Sequence, residues 1–384
     1  MVACVLAATA EAAGAGKCVA GYIESNVLKA TFPDIPLPIY LDHAATTPLL
    51  PAALAAMEEG FRIWANPSSP HKAGRAARAA LEDARARIKA ALGWTGEVIF
   101  TSGASEALDI GISKASRAKT LRTITSAVEH EAVLRLTPDA VRIGVSPDGK
   151  VNFSKLEQAL MGSEPALVAI QHVNSETGVV QDLAAIAELV RSRNARLLVD
   201  AAQSAGKLAL PEADMIALSA HKFGGPVGIG ALLVREYGLL VPTGGQERGY
   251  RAGTEPLPQV LAMAAALEAG HDWLASAATL RESLEKQLLE MGAVVIAANA
   301  PRSPTIGAYR MPGKSSAAQL IRFDGAGIAV SAGSACSSGS LKASHVLTAM
   351  GVEGLSEVIR VSIGRETTAD DIARFVAVWR EIRG

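Results

Sequence analysis

Aromatic residues are scarce in this 384-residue chain, at 4%, so its core has to be built from Ala, Val, Leu and Ile. Cysteine is scarce too: Cys4, Cys18 and Cys336 are all there is. An odd count does not make a disulfide framework, no metal-ligand spacing links the three, and a reducing cytoplasm is the compartment that fits. No charge of one sign dominates, since the formal net charge is -1. That excludes the strongly basic surface expected of a nucleic-acid or anionic-membrane binder. No apolar run approaches the roughly 20 residues needed to span a bilayer. A basic start is missing from Met1-Val2-Ala3-Cys4, which argues against a signal peptide. Residues 1–38, rich in Ala and Gly and closing on Pro33, Pro36 and Pro38, therefore read as a disordered or loosely packed extension.

What is present suits a globular protein of two parts. The chain exceeds the roughly 250–300 residues at which a single core stops growing, which predicts a large and a smaller domain. From Tyr40 onward, short apolar runs alternate with longer amphipathic stretches. The runs are Glu97–Phe100, Leu121–Ile124, Ala166–Ile170, Arg196–Val199, Met215–Leu218 and Gly230–Val234. Runs this short without polar alternation suit strands covered on both faces. The stretches between them, such as Gly74–Leu92 and Leu183–Arg193, suit helices, so the pattern is βαβ and the sheet mainly parallel. Ligands in such sheets lie beyond the carboxyl ends of the strands. That rule selects Thr101–Ser105, Asn174–Gly178, Asp200–Gln203 and Ser219–Lys222, on one shared edge. After about Leu257 the pattern changes to one long helix, Val260–Met291, an apolar run near Val294, a Ser/Gly-rich loop at Ser331–Ser340 and a last helix from about Ala369. The expected division is 39–256 for a large α/β domain and 257–384 for a smaller α+β domain, with the first residues of the former able to pack on the latter.

Several residues in these segments carry chemistry. Lys222 follows a buried strand in Ser219-Ala220-His221-Lys222. Lysine is rarely buried without a reason, and a desolvated amine can condense with an aldehyde cofactor. Asp200 ends another buried strand, where an acid could keep a pyridine ring nitrogen protonated, or simply cap a helix. Gln203, three residues on, could hydrogen-bond the phenolate of such a ring, though alone it reads as a surface residue. Gly103-Ala104-Ser105-Glu106 opens a helix directly after a strand, a place for a phosphate or for an ordinary cap. His130 could stack on a flat ring. The loop Gly244–Thr254 holds two arginines and the Thr254 hydroxyl, and by composition alone is a surface loop. Cys336 stands in a small polar loop, poor ground for a structural thiol and good ground for a nucleophile that travels. Arg360, in Val358-Ile359-Arg360-Val361-Ser362, needs a carboxylate, either from a substrate or from within the protein.

Taken together, these motifs resemble the NifS/IscS-type cysteine desulfurases, within the class V aminotransferase group of fold-type I pyridoxal-phosphate enzymes. The resemblance runs from about Tyr40 to the C-terminus. It is carried in order by Tyr40-Leu41-Asp42-His43-Ala44-Ala45-Thr46-Thr47-Pro48, Asn66-Pro67-Ser68-Ser69 through His71, Ser219-Ala220-His221-Lys222, Arg251-Ala252-Gly253-Thr254 and Gly333-Ser334-Ala335-Cys336. It implies a large domain with a mainly parallel seven-stranded sheet and a smaller α+β C-terminal domain. It makes Lys222 the Schiff-base lysine, Asp200 the partner of the ring nitrogen, Gln203 the contact of the phenolate oxygen and His130 the stacking ring. It gives Ala104, Ser105, Ser219 and His221 to the phosphate, with Thr254 reaching the phosphate of a neighbouring subunit in a homodimer. It gives Arg360, Asn174 and Ser175 to the substrate L-cysteine. Cys336 would take the sulfur as a persulfide and hand it to an acceptor such as an iron–sulfur scaffold; a shared iron–sulfur contact through Cys336 is the only metal contact it allows.

The chain departs from the family in places. Ser105 stands where Thr is usual, and Ser175 stands where the family commonly has a second Asn that touches substrate and cofactor. Gln246 replaces a histidine found in some members. An aminotransferase or selenocysteine lyase on the same fold, and a scaffold that has lost turnover, are the competing expectations.

Overall fold

A computed structural model describes residues 39–115, 121–162, 164–333 and 343–384. The extension 1–38 and the segment 334–342, which holds Cys336, lie outside the described residues.

The described chain opens with strand β1 (Ile39–Tyr40) and helices α1 (Pro51–Arg62) and α2 (Lys72–Leu92). Strand β2 (Glu97–Thr101), helix α3 (Ala104–Ser113), β3 (Arg122–Ser126), α4 (Glu131–Leu136), β4 (Val141–Ile143) and α5 (Phe153–Leu160) follow. Next come β5 (Ala166–Gln171), α6 (Leu183–Ser192), β6 (Arg196–Asp200), β7 (Met215–Ser219) and β8 (Gly230–Val234). The remainder is α7 (Leu257–Glu268), α8 (Leu274–Glu290), β9 (Val294–Val295), β10 (Ile306–Arg310), α9 (Ser316–Gly325), β11 (Ile328–Ala329), α10 (His345–Ala349), β12 (Val358–Ser362) and α11 (Ala369–Arg383).

Seven strands form one sheet in the order β2-β8-β7-β6-β5-β3-β4. β8 runs antiparallel to both of its neighbours, and every other pairing is parallel. The apolar runs become strands because each has a helix layer on both sides. Val98 and Phe100 of β2 join a core with Leu81 and Ile88 of α2, Ile186 of α6 and Val260 of α7. Ile99, between them, joins the opposite core with Leu108 and Ile110 of α3 and Val133 of α4. This alternation across the pleat covers both faces, so no polar alternation survives in the sequence. Because β8 alone is reversed, the carboxyl ends of β2, β7, β6, β5 and β3 lie on one edge.

A second core is built by the C-terminal elements. The antiparallel sheet β12-β10-β9 packs with Leu284 and Leu288 of α8, Phe323 of α9, and Phe375 and Trp379 of α11. The rings of Phe323 and Phe375 stack at 4.6 Å. Leu41 belongs to this core, and β1 pairs in parallel with β11. The first described residues are thereby brought beside β12, which carries Arg360.

Two expectations change. The stretch Val260–Met291 is not one helix: α7 ends at Glu268 and α8 begins at Leu274, with Gly270 at φ +72°, in the left-handed region. Glycine enters that region without steric cost, so it can turn the chain where apolar spacing continues. Strand β4 went unforeseen because its first two residues are exposed at the sheet edge and leave no apolar run.

The close approach of β8 to the turn after β2 yields a prediction. A Cβ on Gly230 would lie 2.4 Å from the Leu218 carbonyl oxygen and 2.7 Å from the Gly103 Cα, both main-chain atoms. Gly230→Ala is expected to cost about 1–3 kcal/mol of stability through overpacking. Urea unfolding measures it, and an unchanged midpoint would mean that this strand end relaxes freely.

Candidate active site

A cavity of about 320 Å³ opens on that shared edge. Following the strand order, it collects the turn after β2, the turn after β7, the end of β6, the loop after β5 and the turn after β3, then Arg360 from β12.

At the β2 end, Ala104 and Ser105 are the first residues of α3, whose N-cap Gly103 supplies no side-chain hydrogen bond. The first amides of the helix are therefore left for an anion, with the Ser105 hydroxyl beside them. Ser219 ends β7, and its Oγ lies 3.4 Å from where a Cβ on Gly103 would stand. His221 Nδ1 is 3.1 Å from Thr46 Oγ1. Burial, helped by the charges of Lys222 and Lys207, pushes His221 down to about 4 and keeps its ring neutral near pH 7.

The Lys222 Nζ donates to the main-chain carbonyls of Ala44 at 2.7 Å and Ala45 at 2.8 Å. The turn that carries it is tied down by Thr47, whose Oγ1 donates to the Lys222 carbonyl at 3.1 Å. Gln203 Nε2 donates to the same Ala44 carbonyl at 2.8 Å. Its Oε1 is buried with no hydrogen-bond partner among the described residues. Asp200 is only 7% exposed and accepts from the Ala202 N–H at 2.9 Å. Burial pushes its carboxyl up, opposed by that hydrogen bond and by the nearby charges of His130 and Lys222. His130 caps α4, its Nδ1 accepting from the Ala132 N–H at 3.1 Å. That bond assigns the proton of the neutral ring to Nε2.

Ser175 also lines the cavity, and its carbonyl accepts from Arg360 Nη1 at 3.0 Å. Arg360 is 3% exposed, and its Nη2 lies 2.8 Å from Asp42 Oδ1. The internal salt bridge, one of the two partners open to Arg360 on the sequence, is thus formed.

Not every candidate is gathered here. Asn174 is buried and outside the cavity lining: its Nδ2 donates to the Val128 carbonyl, and its Oδ1 accepts from Glu176 N, Thr177 N and Thr177 Oγ1. The side chain is used up in closing the turn that ends at Gly178, where φ is +76°. Thr254 is exposed and stands outside the cavity lining. Cys336 lies outside the described residues.

Other residues lie at or behind the site without a signal that singles them out in the sequence. Ala44 contributes through its carbonyl, which no side-chain argument can find. Asp42 sits inside the quoted opening motif, but only the approach of β12 gives it a partner. Lys207 is 5% exposed, and burial with the charge of Lys222 pushes it down to about 7. Glu129 is fully buried against Ser126 Oγ and the Gln171 N–H, and burial pushes it up to about 8. Among the described residues no group of three or more His, Cys, Asp or Glu could hold a metal ion, and no helix is long and apolar enough to cross a membrane.

A lysine, an acid and a helix N-terminus on the carboxyl edge of this sheet define a class, and comparison with known proteins supports it. The family described as Aminotransferase class-V matches residues 39–375, and the chain belongs to that family. Within it the chain falls with the cysteine desulfurases of the NifS/IscS type. A cysteine desulfurase IscS of Vibrio cholerae is 39% identical over 370 residues, covering 88% of this chain and 90% of the relative. Among solved structures, a NifS-like protein from Rickettsia africae superposes with a TM-score of 0.83 at 30% identity, covering 90% of this chain and 99% of that one. A structure described as SspA in complex with cysteine superposes at 0.75, also at 30% identity, covering 86% of this chain and all of that one. Family membership implies pyridoxal phosphate as the cofactor.

Proposed function

We propose that this chain uses pyridoxal 5'-phosphate to remove sulfur from L-cysteine, releasing L-alanine and leaving a persulfide on Cys336. The observation that carries the reading is the convergence of Lys222, Asp200, Gln203, Ser105, His130 and Arg360 on one cavity in a chain related to cysteine desulfurases.

The residues present fit the cofactor. The first turn of α3, with no side-chain cap, suits a phosphate, and the Gln203 amide lines the same cavity with an Nε2 that could donate to a ring phenolate in place of the Ala44 carbonyl. Ala104, Ser105, Ser219 and His221 would hold the phosphate, Asp200 the proton on the ring nitrogen, Gln203 the phenolate oxygen, and His130 a ring face. Thr254, exposed on its loop, would serve the site of a second subunit in a homodimer. When bound, the cofactor supplies an aldehyde that captures an amine and a ring that absorbs negative charge.

The chain's own groups do the rest. Arg360 binds the cysteine carboxylate, with Ser175 beside it. Lys222 moves protons at the substrate Cα. Its Nζ donates to two main-chain carbonyl oxygens, those of Ala44 and Ala45, at the floor of the cavity. The Cys336 thiolate attacks the substrate sulfur: the S–S bond forms, the C–S bond breaks, and the carbon left behind takes up a proton to give alanine. The large part, 39–256, would house the cofactor, and 257–384 would carry the Cys336 loop and Arg360. An acceptor such as an iron–sulfur scaffold would take the persulfide sulfur in the cytoplasm.

The purified protein is expected to show a visible absorbance band that shifts when L-cysteine is added, and to yield alanine and reducible sulfur in equal amounts. Exchange with a 2-oxo acid in place of sulfur release would move the assignment to an aminotransferase. Asp200→Ala is expected to lower kcat/KM for L-cysteine by at least about 10²-fold. Removing one partner of a buried charge pair costs about 3–5 kcal/mol, and each 1.36 kcal/mol is about tenfold. Steady-state kinetics on cofactor-saturated protein checks this, and a loss below about fivefold would remove Asp200 from the ring nitrogen.

A further inference from the structure

Arg360 needs a counter-ion whether or not substrate is bound. It lies in the middle of β12, 3% exposed, where an uncompensated guanidinium is strongly unfavourable. Its Nη1 is satisfied by a neutral main-chain oxygen, that of Ser175, and its Nε is buried with no hydrogen-bond partner. The ion-paired negative charge comes from Asp42, whose Oδ1 is 2.8 Å from Nη2, with Glu176 as a second carboxylate nearby. Asp42 is anchored by its main chain: its carbonyl accepts from Ala45 N at 3.0 Å, and it bridges to Ser362 on β12. Its side chain remains 19% exposed, and Arg360 is the one ion-pair partner it has among the described residues. A firm backbone thus carries a carboxylate that can turn toward solvent.

Any substrate carboxylate that uses Arg360 meets this pair. Two carboxylates on one guanidinium repel each other across a short gap, in surroundings that screen poorly. A ligand offering a carboxylate alone has to work against Asp42, whereas one that is also held through its amine can offset the repulsion.

We propose that Asp42 is a specificity residue: it stands in for the amino-acid carboxylate on Arg360 and raises the binding threshold for carboxylates that bring no amine. The inference rests on the reading of Arg360 as the substrate's carboxylate site. Asp42 neutralises the guanidinium between turnovers and yields it, or shares it at a cost, when an amino acid arrives.

The test compares Asp42→Asn with the unmodified holoenzyme. KM for L-cysteine is measured together with inhibition constants for 3-mercaptopropionate, which has a carboxylate and no amine, and cysteamine, which has an amine and no carboxylate. Asp42→Asn is expected to lower the 3-mercaptopropionate constant by roughly 5–10-fold and the cysteine KM by less, while cysteamine changes under about twofold. A melting curve accompanies each variant, and Asp42→Ser carries the test if the Asn variant does not fold. Unchanged or weaker 3-mercaptopropionate binding at an unchanged melting temperature would overturn the proposal and make Asp42 a holder of Arg360. Arg360→Ala separates the two readings. If it leaves the cysteine KM unchanged, the assignment of Arg360 fails. If it raises that KM by tenfold or more while Asp42→Asn lowers nothing, only the role of Asp42 fails.

Discussion

Lys222→Ala is expected to lower cysteine turnover by about 10³-fold or more, the largest effect of any single substitution in the cavity. Positioned proton transfer alone contributes about 10²–10⁴-fold, and this lysine is also the amine that would hold the cofactor aldehyde between turnovers. The geometry makes the loss hard to replace. The Lys222 Nζ is held by the Ala44 and Ala45 carbonyls, and the turn behind it is fixed by Thr47. His221, next in the chain, is pushed down to about 4 by burial and by its cationic neighbours, so it is a weak base. Lys207 is pushed down to about 7 by burial and by the charge of Lys222, but it does not line the cavity. The measurement pairs turnover with absorbance. The variant should lose the native visible band, bind L-cysteine without release of alanine, and keep its melting temperature to within a few degrees. Retained turnover above about one tenth would mean that another amine serves, and Lys207 would be the next to replace.

Cys336→Ala is expected to abolish both sulfur release and alanine formation, a loss of about 10²-fold or more when no external thiol is present. The sulfur needs an acceptor with a nucleophilic thiolate, and the chain offers three candidates in all, Cys4, Cys18 and Cys336. Cys4 and Cys18 belong to the extension that precedes the family match at 39–375. Cys336 falls inside that match, between Gly333 and Ser344 in the sequence. Ser344 Oγ donates to Glu176 Oε2 at 2.6 Å, and His345 Nε2 lies 2.9 Å from the Glu129 carbonyl, so Ser344 and His345 are tied to the loops that carry Ser175 and His130. The band shift on adding L-cysteine should survive in Cys336→Ala, because Lys222, Asp200 and Arg360 are unaltered. Cys336→Ser should behave like the Ala variant, since a hydroxyl does not attack sulfur as a thiolate does. Normal alanine output from either variant would sink the persulfide step. Loss of the band shift as well would mean that the loop helps bind substrate.

The seven-stranded sheet was legible in the sequence wherever a strand is covered on both faces. Ala166–Ile170, Leu197–Val199, Met215–Leu218 and Gly230–Val234 are unbroken apolar runs for that reason. β4 was not legible, because half-exposed edge residues carry no such run, and neither was the break at Gly270, because apolar spacing continues through a turn that only backbone conformation reveals. The strand-end rule puts Ser105, Asp200, Lys222 and Ser175 on one edge, and all four line the cavity. Asn174, one residue before Ser175, was grouped with them; a residue's position on an edge does not say which way its side chain faces, and its hydrogen bonds turn it inward.

The sequence by itself determined the sheet, the edge on which the site lies and the residue types that point to pyridoxal chemistry, because burial and strand-end position leave a local imprint on residue choice. The tertiary structure alone decided which partners those residues have. Asp42 and Arg360 are 318 positions apart, and Lys222 rests on Ala44 and Ala45 from nearly 180 positions away. Such contacts form where β1 joins β11 and its following turn meets β12 and β7. They depend on how separate elements close on one another, and no local pattern of side chains records that.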